Sequence, residues 1–147
     1  MAVGTFTLYG AAIEAIAKNT LDLDSDTFKA VLLASGYTPV VNTHALYSDL
    51  TNELSTASGY TAGGATLTSV AVTRSSGTVK FDADDVTWTA SGGSLVARYL
   101  VVYADGATDR LLGYILLDDT PADITVNPGV VLTIQWNAGG IFTISQP

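Results

Sequence analysis

The stretch SLVARYLVVYADGATDRLLGYILLDD, residues 94–119, decides the fold class of this chain. It consists of two apolar runs on either side of ADGATD, residues 104–109, which carries an Asp-Gly pair. An Asp-Gly pair between apolar runs is a strong hairpin signal, because both residues tolerate the backbone angles of a tight turn. We therefore expect two antiparallel strands joined by a hairpin turn.

Shorter segments of similar character surround this hairpin. Apolar and polar residues alternate in TLTSVAVTR (66–74) and GTVKFDADDVTWTAS (77–91), which is the period of a half-buried strand. Three more strand-like segments follow, separated by the turn sequences NPG and NAGG: ADITV, GVVLTIQWN and GGIFTIS. We count seven or eight strands. Their regular spacing predicts an all-β, single-domain antiparallel fold of the β-sandwich or jelly-roll-like kind.

The N-terminal part of the chain predicts one short helix and one further strand. The segment LYGAAIEAIAKN (8–19) has helical apolar spacing and a plausible stop at Asn19. Its expected buried face consists of four residues: Leu8, Ala12, Ile13 and Ile16. The apolar run from Ala30 to Ala34 could be a buried strand or a helix, and we favour a strand because the rest of the chain is β-rich.

A chain of 147 residues suits one domain, residues 1–147, with a sizeable core. We divide it into an N-terminal arm with the helix (1–20), a long irregular loop (36–66) and a main β region (66–147). A connection as long as this loop is uncommon unless it has a function. Its tyrosines could pack it onto the body or face a partner: Tyr37, Tyr47 and Tyr60.

The charge composition narrows the range of partners. The net charge is −8, and only 14% of residues are charged, against about 25% in a typical domain. The six basic residues are scattered, so we expect no nucleic acid and no membrane surface as partner. Without an apolar stretch of about 18 residues, we expect no membrane helix either. A polar but uncharged surface is cheaper to desolvate than a charged one, which favours docking or a homo-oligomer.

The alternating acids of LDLDSDTF (21–28) resemble the start of a calcium loop, with Asp22, Asp24 and Asp26 as ligands. Such a loop needs glycine at its sixth position and glutamate at its twelfth. Thr27 and Leu33 stand there instead, and Leu33 cannot supply a carboxylate. We therefore predict no metal site, and interpret the segment as a solvated strand edge with Asp26 in a turn or cap.

Two more acidic clusters are interpreted as turns. Paired carboxylates can hydrolyse glycosides, but one acid then needs an apolar pocket beside a substrate cleft. These carboxylates are Asp82, Asp84 and Asp85 in the first cluster, and Asp118, Asp119 and Asp123 in the second.

The remaining candidate residues do not form a recognisable catalytic motif. His44 is the only histidine, and the chain has no Gly-x-Ser-x-Gly elbow, so we interpret His44 as a packing or hydrogen-bonding residue. The sequence GGAT (63–66) lacks the lysine of a phosphate-binding loop. Trp88 and Trp136 are expected on core strands, although an exposed tryptophan could stack on a carbohydrate. We predict no enzyme activity, no cofactor and no catalytic, cofactor-binding or metal residues.

Seven segments follow one another along nearly the whole chain: LDLDSDTFKAVLLASGYTP, HALYSDLTNEL, GYTAGGATL, VKFDADDVTW, ARYLVVYADG, LLGYILLDD and GIFTI. Together and in this order, they resemble a widespread family of small structural proteins of tailed bacteriophages. The resemblance implies a virion component, made in the host cytoplasm, without enzymatic activity. It carries no catalytic signature.

Within that family, we expect a head decoration or cement protein on the outside of the capsid. Its partners would be the major capsid protein or other virion proteins, together with further copies of itself. We expect the contacts to come from the N-terminal segment (1–20) and the loop (36–66), because the β core is needed for folding. The alternatives are a tail, collar or fibre component and, from a different class, a carbohydrate-binding β domain.

Overall fold

Antiparallel strand pairs dominate the computed structural model, which describes residues 4–147. The first six strands are β1 (Thr7–Leu8), β2 (Phe28–Leu33), β3 (Ala65–Thr66), β4 (Ala71–Ser75), β5 (Thr78–Asp82) and β6 (Val86–Thr89). The next six are β7 (Leu95–Ala97), β8 (Tyr99–Ala104), β9 (Arg110–Leu116), β10 (Ile124–Val126), β11 (Val131–Ile134) and β12 (Phe142–Ser145). A single α-helix, α1 (Gly10–Ala17), and a short 3₁₀ helix (Tyr47–Asp49) complete the elements of the described chain.

The all-β antiparallel class is confirmed, but the expected count of seven or eight strands is wrong. Twelve strands form between residues 4 and 147. Strands β1 and β3 have two residues each, too few to show any periodicity. The run before the hairpin also divides into β7 and β8 at Arg98, where the chain leaves one sheet and enters another.

The main sheet has the order β1-β9-β8-β2-β3. The predicted hairpin is confirmed as β8 and β9, with a bulge between Val102 and Tyr103. The predicted strand at Ala30 to Ala34 is confirmed as β2, which pairs with β8. Consecutive residues of β2 and β8 are fully buried. Because neighbouring strand residues point to opposite faces, both faces of the sheet must be covered.

A second body of structure is a two-stranded ribbon that we define as residues 86–97 and 124–134. In it β6 pairs with β11 and β7 pairs with β10. Between the two pairs, the Ala90 N–H donates to the Val130 carbonyl at 3.0 Å, which keeps the ribbon continuous. Every second ribbon strand residue is buried, including Trp88 and Leu132, so the inner face of the ribbon belongs to the core.

The third sheet has the order β12-β5-β4 and joins the core through aromatic contacts. Phe81 of β5 meets Phe28 of β2 edge to face, with ring centroids 5.2 Å apart. Phe142 of β12 lies against Phe81 at the same centroid distance and stacks on Phe6. Such offset and edge contacts are the favoured geometries of aromatic pairs, so they hold this sheet and the N-terminal segment on one core.

Helix α1 ends close to the expected stop, because Asn19 takes a positive φ of 53°. The expected buried face is wrong at Ile13, which is 55% exposed. Ala12 is buried as expected and Ala15 is buried in addition, and these small side chains let the helix approach β9 closely. No helix within residues 4–147 is long and apolar enough to cross a membrane.

Candidate functional site

The acidic segment Asp22–Asp26 forms a turn rather than the expected strand edge. The Asp26 carboxylate accepts a hydrogen bond from the Asp22 N–H at 2.8 Å. The Asp22 carboxylate accepts one from the Asp24 N–H at 2.9 Å, and this bond lowers the pKa of Asp22. Among residues 4–147, no three His, Cys, Asp or Glu side chains are grouped to hold a metal ion.

The other acidic residues also bind local partners. Asp84 accepts hydrogen bonds from the hydroxyls of Thr68 and Ser69, the latter at 2.6 Å. Asp85 accepts the backbone N–H of Trp136 at 3.0 Å. Two further pairs lie at the end of the ribbon and in the turn after β9: Asp123 with Arg98 and Asp118 with Thr120. Apart from Asp119, each carboxylate of the two sequence clusters therefore has a hydrogen-bonding role in the fold, including Asp82, which accepts from Lys80.

His44 belongs to a hydrogen-bonded tyrosine pair. Its Nδ1 atom lies 2.9 Å from the Tyr37 hydroxyl, which in turn lies 2.7 Å from the Tyr9 hydroxyl. Tyr9 and Tyr37 are buried, and the His44 ring packs beside both of them. Through these contacts, His44 helps to hold the loop (36–66) against the start of α1.

A second cluster of hydrogen bonds, which we call the Glu53 cluster, holds the middle of the loop against β8. Its members are Glu53, Tyr47, Tyr60, Gly63 and Tyr103. The Glu53 carboxylate accepts hydrogen bonds from the hydroxyls of Tyr47 and Tyr60 and from the Gly63 N–H at 2.7 Å. Tyr103 of β8 donates to the Gly63 carbonyl at 3.0 Å and packs against the Tyr47 ring. The loop tyrosines therefore pack onto the body of the protein: Tyr37 and Tyr60 are buried, and Tyr47 is half-buried.

Buried tyrosines make the free energy of unfolding depend on pH in the alkaline range. Burial raises the pKa of Tyr103 to about 12, and it raises the pKa values of Tyr9 and Tyr60 well above the usual 10. Between about pH 10 and 12 the unfolded chain loses protons that the folded chain retains, so the free energy of unfolding falls as pH rises. Below about pH 10 this contribution is fully present and constant.

We therefore expect urea unfolding to show lower stability at about pH 11 than at about pH 9. Absorbance at 295 nm, which follows phenolate formation, should be smaller for the folded than for the unfolded protein at the higher pH. Folded and unfolded chains that titrate together near pH 10 would contradict this prediction.

The outer side of the ribbon carries no charge. Residues 86–97 and 124–134 contain no Asp, Glu, Lys, Arg or His, although the chain has a net charge of −8. We call the exposed, outward side chains of its strands the ribbon face: Thr87, Thr89, Val96, Thr125, Val131 and Thr133. All six are β-branched, so they lose little side-chain freedom when another surface covers them.

A second surface with exposed apolar side chains lies where α1 meets the loop. The Gly10 N–H donates to the Val41 carbonyl at 2.9 Å, which joins the two segments. Each segment exposes one large apolar side chain: Ile13 at 55% and Val40 at 43%. We call this region the helix–loop surface. It belongs to the two segments that the sequence predicts as contact regions.

The two tryptophans differ in their surroundings. Trp88 lies on β6 and is buried, so its predicted core position is confirmed. The same prediction is wrong for Trp136, which follows β11 and is only half-buried. Trp136 lines a cleft of about 430 Å³, the Trp136 cleft, between the N-terminal segment and the turn before β12.

Comparison with protein-family models, with curated proteins and with solved structures gave no match for this chain.

Two of these features were not predicted from the sequence, for different reasons. The charge-free ribbon could have been predicted, because residues 124–147 contain no ionisable side chain and a count of charges by segment would find them. The Trp136 cleft could not have been predicted from the sequence, because Phe6 and Trp136 line it together. No local pattern predicts a contact across so large a sequence separation.

Proposed function

We propose that this protein is a structural component of a tailed-bacteriophage virion, and specifically a decoration protein on the outside of the head. The observation that carries the proposal is the uncharged ribbon face on a chain whose net charge is −8. Copies of an acidic protein repel one another, and they approach most easily where their surfaces carry no charge. The segment-by-segment resemblance to phage structural proteins gives the biological setting.

In this proposal the two surfaces have separate roles. The ribbon face joins copies of the chain to one another, since Val and Thr side chains can pack against the same set on a second copy. The helix–loop surface, with Ile13 and Val40, contacts the capsid shell. A protein that binds only the assembled shell stabilises it by its binding free energy, and linked copies bind with added avidity.

The virion assignment is tested by quantitative mass spectrometry of purified particles of a phage that encodes this chain. We expect copy numbers on the order of hundreds, in proportion to the repeated capsid lattice. Copy numbers of tens or fewer would indicate a tail, collar or fibre component instead. Absence from purified particles would contradict the virion assignment altogether.

The two contact surfaces are tested with three charged substitutions of exposed residues. Val131→Asp on the ribbon face should weaken self-association by at least about 100-fold, because it places like charges opposite each other. Ile13→Asp should weaken binding to capsids by at least about tenfold without changing the oligomeric state. Ile144→Asp, on exposed β12 outside both surfaces, is the matched control and should change neither property.

Light scattering after size exclusion measures the oligomeric state, and co-sedimentation with capsids that lack the protein measures binding. Wild-type assembly of the Val131→Asp variant would contradict the role of the ribbon face. Truncation of residues 1–20 is a poor substitute for Ile13→Asp, because Tyr9, Ala12 and Ala15 belong to the core and their removal would test folding.

A further inference from the structure

The Trp136 cleft has the volume of a small-ligand site. Its volume of about 430 Å³ lies within the range of about 300–1,000 Å³ that is usual for such sites. Aromatic and apolar side chains form part of its wall, and polar side chains lie beside them. The residues that matter for recognition are Thr5, Phe6, Gln135, Trp136, Asn137 and Ile141.

The Trp136 indole is held in place by the protein. Its Nε1–H donates to the Asp84 carbonyl at 3.0 Å, and its backbone N–H donates to the Asp85 carboxylate at 3.0 Å. The only hydrogen-bond donor of the indole is therefore already used. What Trp136 offers to a ligand is its ring surface, and a ring that is already fixed loses little freedom when a ligand packs on it.

The polar groups of the cleft are amides and a hydroxyl. Asn137 uses its Oδ1 atom to accept the Gly139 N–H at 2.8 Å. Within residues 4–147, the Asn137 Nδ2 group, the Gln135 amide and the Thr5 hydroxyl form no hydrogen bond to protein atoms. Amide and hydroxyl groups can donate and accept, which matches the hydroxyl groups of a sugar.

The cleft lining contains no charged side chain in the described chain. The Lys80 side chain lies against Gly140, but its ammonium group already pairs with Asp82. Burying a phosphate, sulfate or carboxylate in the cleft would therefore carry a large desolvation cost. A purely apolar ligand would leave the amides of Gln135 and Asn137 unpaired. The ligand class that fits both conditions has an apolar ring face, many hydroxyl groups and no charge.

We propose that the Trp136 cleft binds a neutral saccharide, with a sugar ring against the Trp136 indole and its hydroxyls on Thr5, Gln135 and Asn137. Sugar rings present C–H groups on their faces and hydroxyls at their rims, so this arrangement satisfies both parts of the ligand. The proposal goes beyond the role of the protein in a virion and does not rest on it.

The experiment follows the two indole N–H resonances of the ¹⁵N-labelled full chain during titration with neutral oligosaccharides of glucose, mannose, galactose and N-acetylglucosamine. We expect at least one series to shift the Trp136 resonance at concentrations up to about 10 mM. The Trp88 resonance is the internal control, because Trp88 is buried in the core and should not move. Oligosaccharides of uronic acids should leave both resonances unchanged.

Two variants sharpen the result. Trp136→Ala should weaken binding at least about tenfold, as expected for loss of a central aromatic contact. Gln135→Ala removes an exposed amide that makes no protein hydrogen bond in the described chain, so it should fold normally and weaken binding about threefold or more. The proposal is overturned if no neutral saccharide shifts Trp136, or if binding survives Trp136→Ala in a folded protein.

Discussion

Replacing Gly64 by alanine is expected to lower the free energy of unfolding by about 4 kcal/mol. Gly64 has a φ of +77°, and a Cβ at this position would lie 2.0 Å from the Ala30 carbonyl oxygen and 2.7 Å from its carbon. Ala30 is fully buried on β2 and pairs with both β3 and β8, so this backbone cannot move aside without disturbing the centre of the main sheet. Urea denaturation measures the loss directly.

The neighbouring glycine provides a matched control. Gly63 has a similar φ of +93°, but a Cβ there would meet nothing within 4 Å. Gly63→Ala should therefore cost only the backbone strain, about 1–2 kcal/mol. The difference between the two variants isolates the close approach of Gly64 to β2. Equal losses in both variants would contradict the steric explanation.

The pair also shows what the sequence GGAT does in this protein. It lacks the lysine of a phosphate-binding loop, and the structure uses its second glycine to bring the end of the loop against β2. The missing lysine excludes a phosphate-binding loop. The need for glycine at position 64 comes from its contact with β2, a strand that lies more than 30 residues earlier.

The fold class could be predicted because its main signals are local. The Asp-Gly turn predicts the β8–β9 hairpin, and short-range alternation predicts the strands of the ribbon. The break between β7 and β8 could not be predicted from the same signals. At that point the Arg98 N–H donates to the Leu33 carbonyl at 2.8 Å, so a distant strand decides where the chain changes sheets.

The candidate surfaces were predictable only in part. The sequence indicated residues 1–20 and 36–66 as contact segments, and in their described parts, 4–20 and 36–66, the large apolar residues that are exposed are Ile13 and Val40. It did not indicate that Tyr37 and Tyr60 of the loop would be buried, because burial depends on acceptors elsewhere in the fold. Polar residues in an irregular segment look alike in sequence whether they face solvent or a buried partner.

Replacing Glu53 by alanine is the second change with a large expected effect, a loss of about 4 kcal/mol in the free energy of unfolding. The Glu53 carboxylate accepts three hydrogen bonds, from Tyr47, from Tyr60 at 2.6 Å and from the Gly63 N–H at 2.7 Å. Removal of the acceptor leaves the buried Tyr60 hydroxyl unsatisfied, and this costs more than the net value of the bond. The half-buried donors of Tyr47 and Gly63 each lose a hydrogen bond to a charged acceptor. Tyr60 is the most affected because it is buried.

Two variants separate this effect from a general loss of charge. Glu53→Gln keeps one acceptor oxygen but removes the negative charge, so it should cost about half as much. Glu14, the only other glutamate, lies on the exposed face of α1 in an ion pair with Lys18, and Glu14→Ala should cause no measurable change in urea denaturation. Because the Glu53 cluster joins the loop to β8, proteolysis should also cut the loop faster in Glu53→Ala than in the wild type. A Glu53→Ala variant as stable as Glu14→Ala would show that water replaces the lost acceptor and that the cluster does not hold the loop in place.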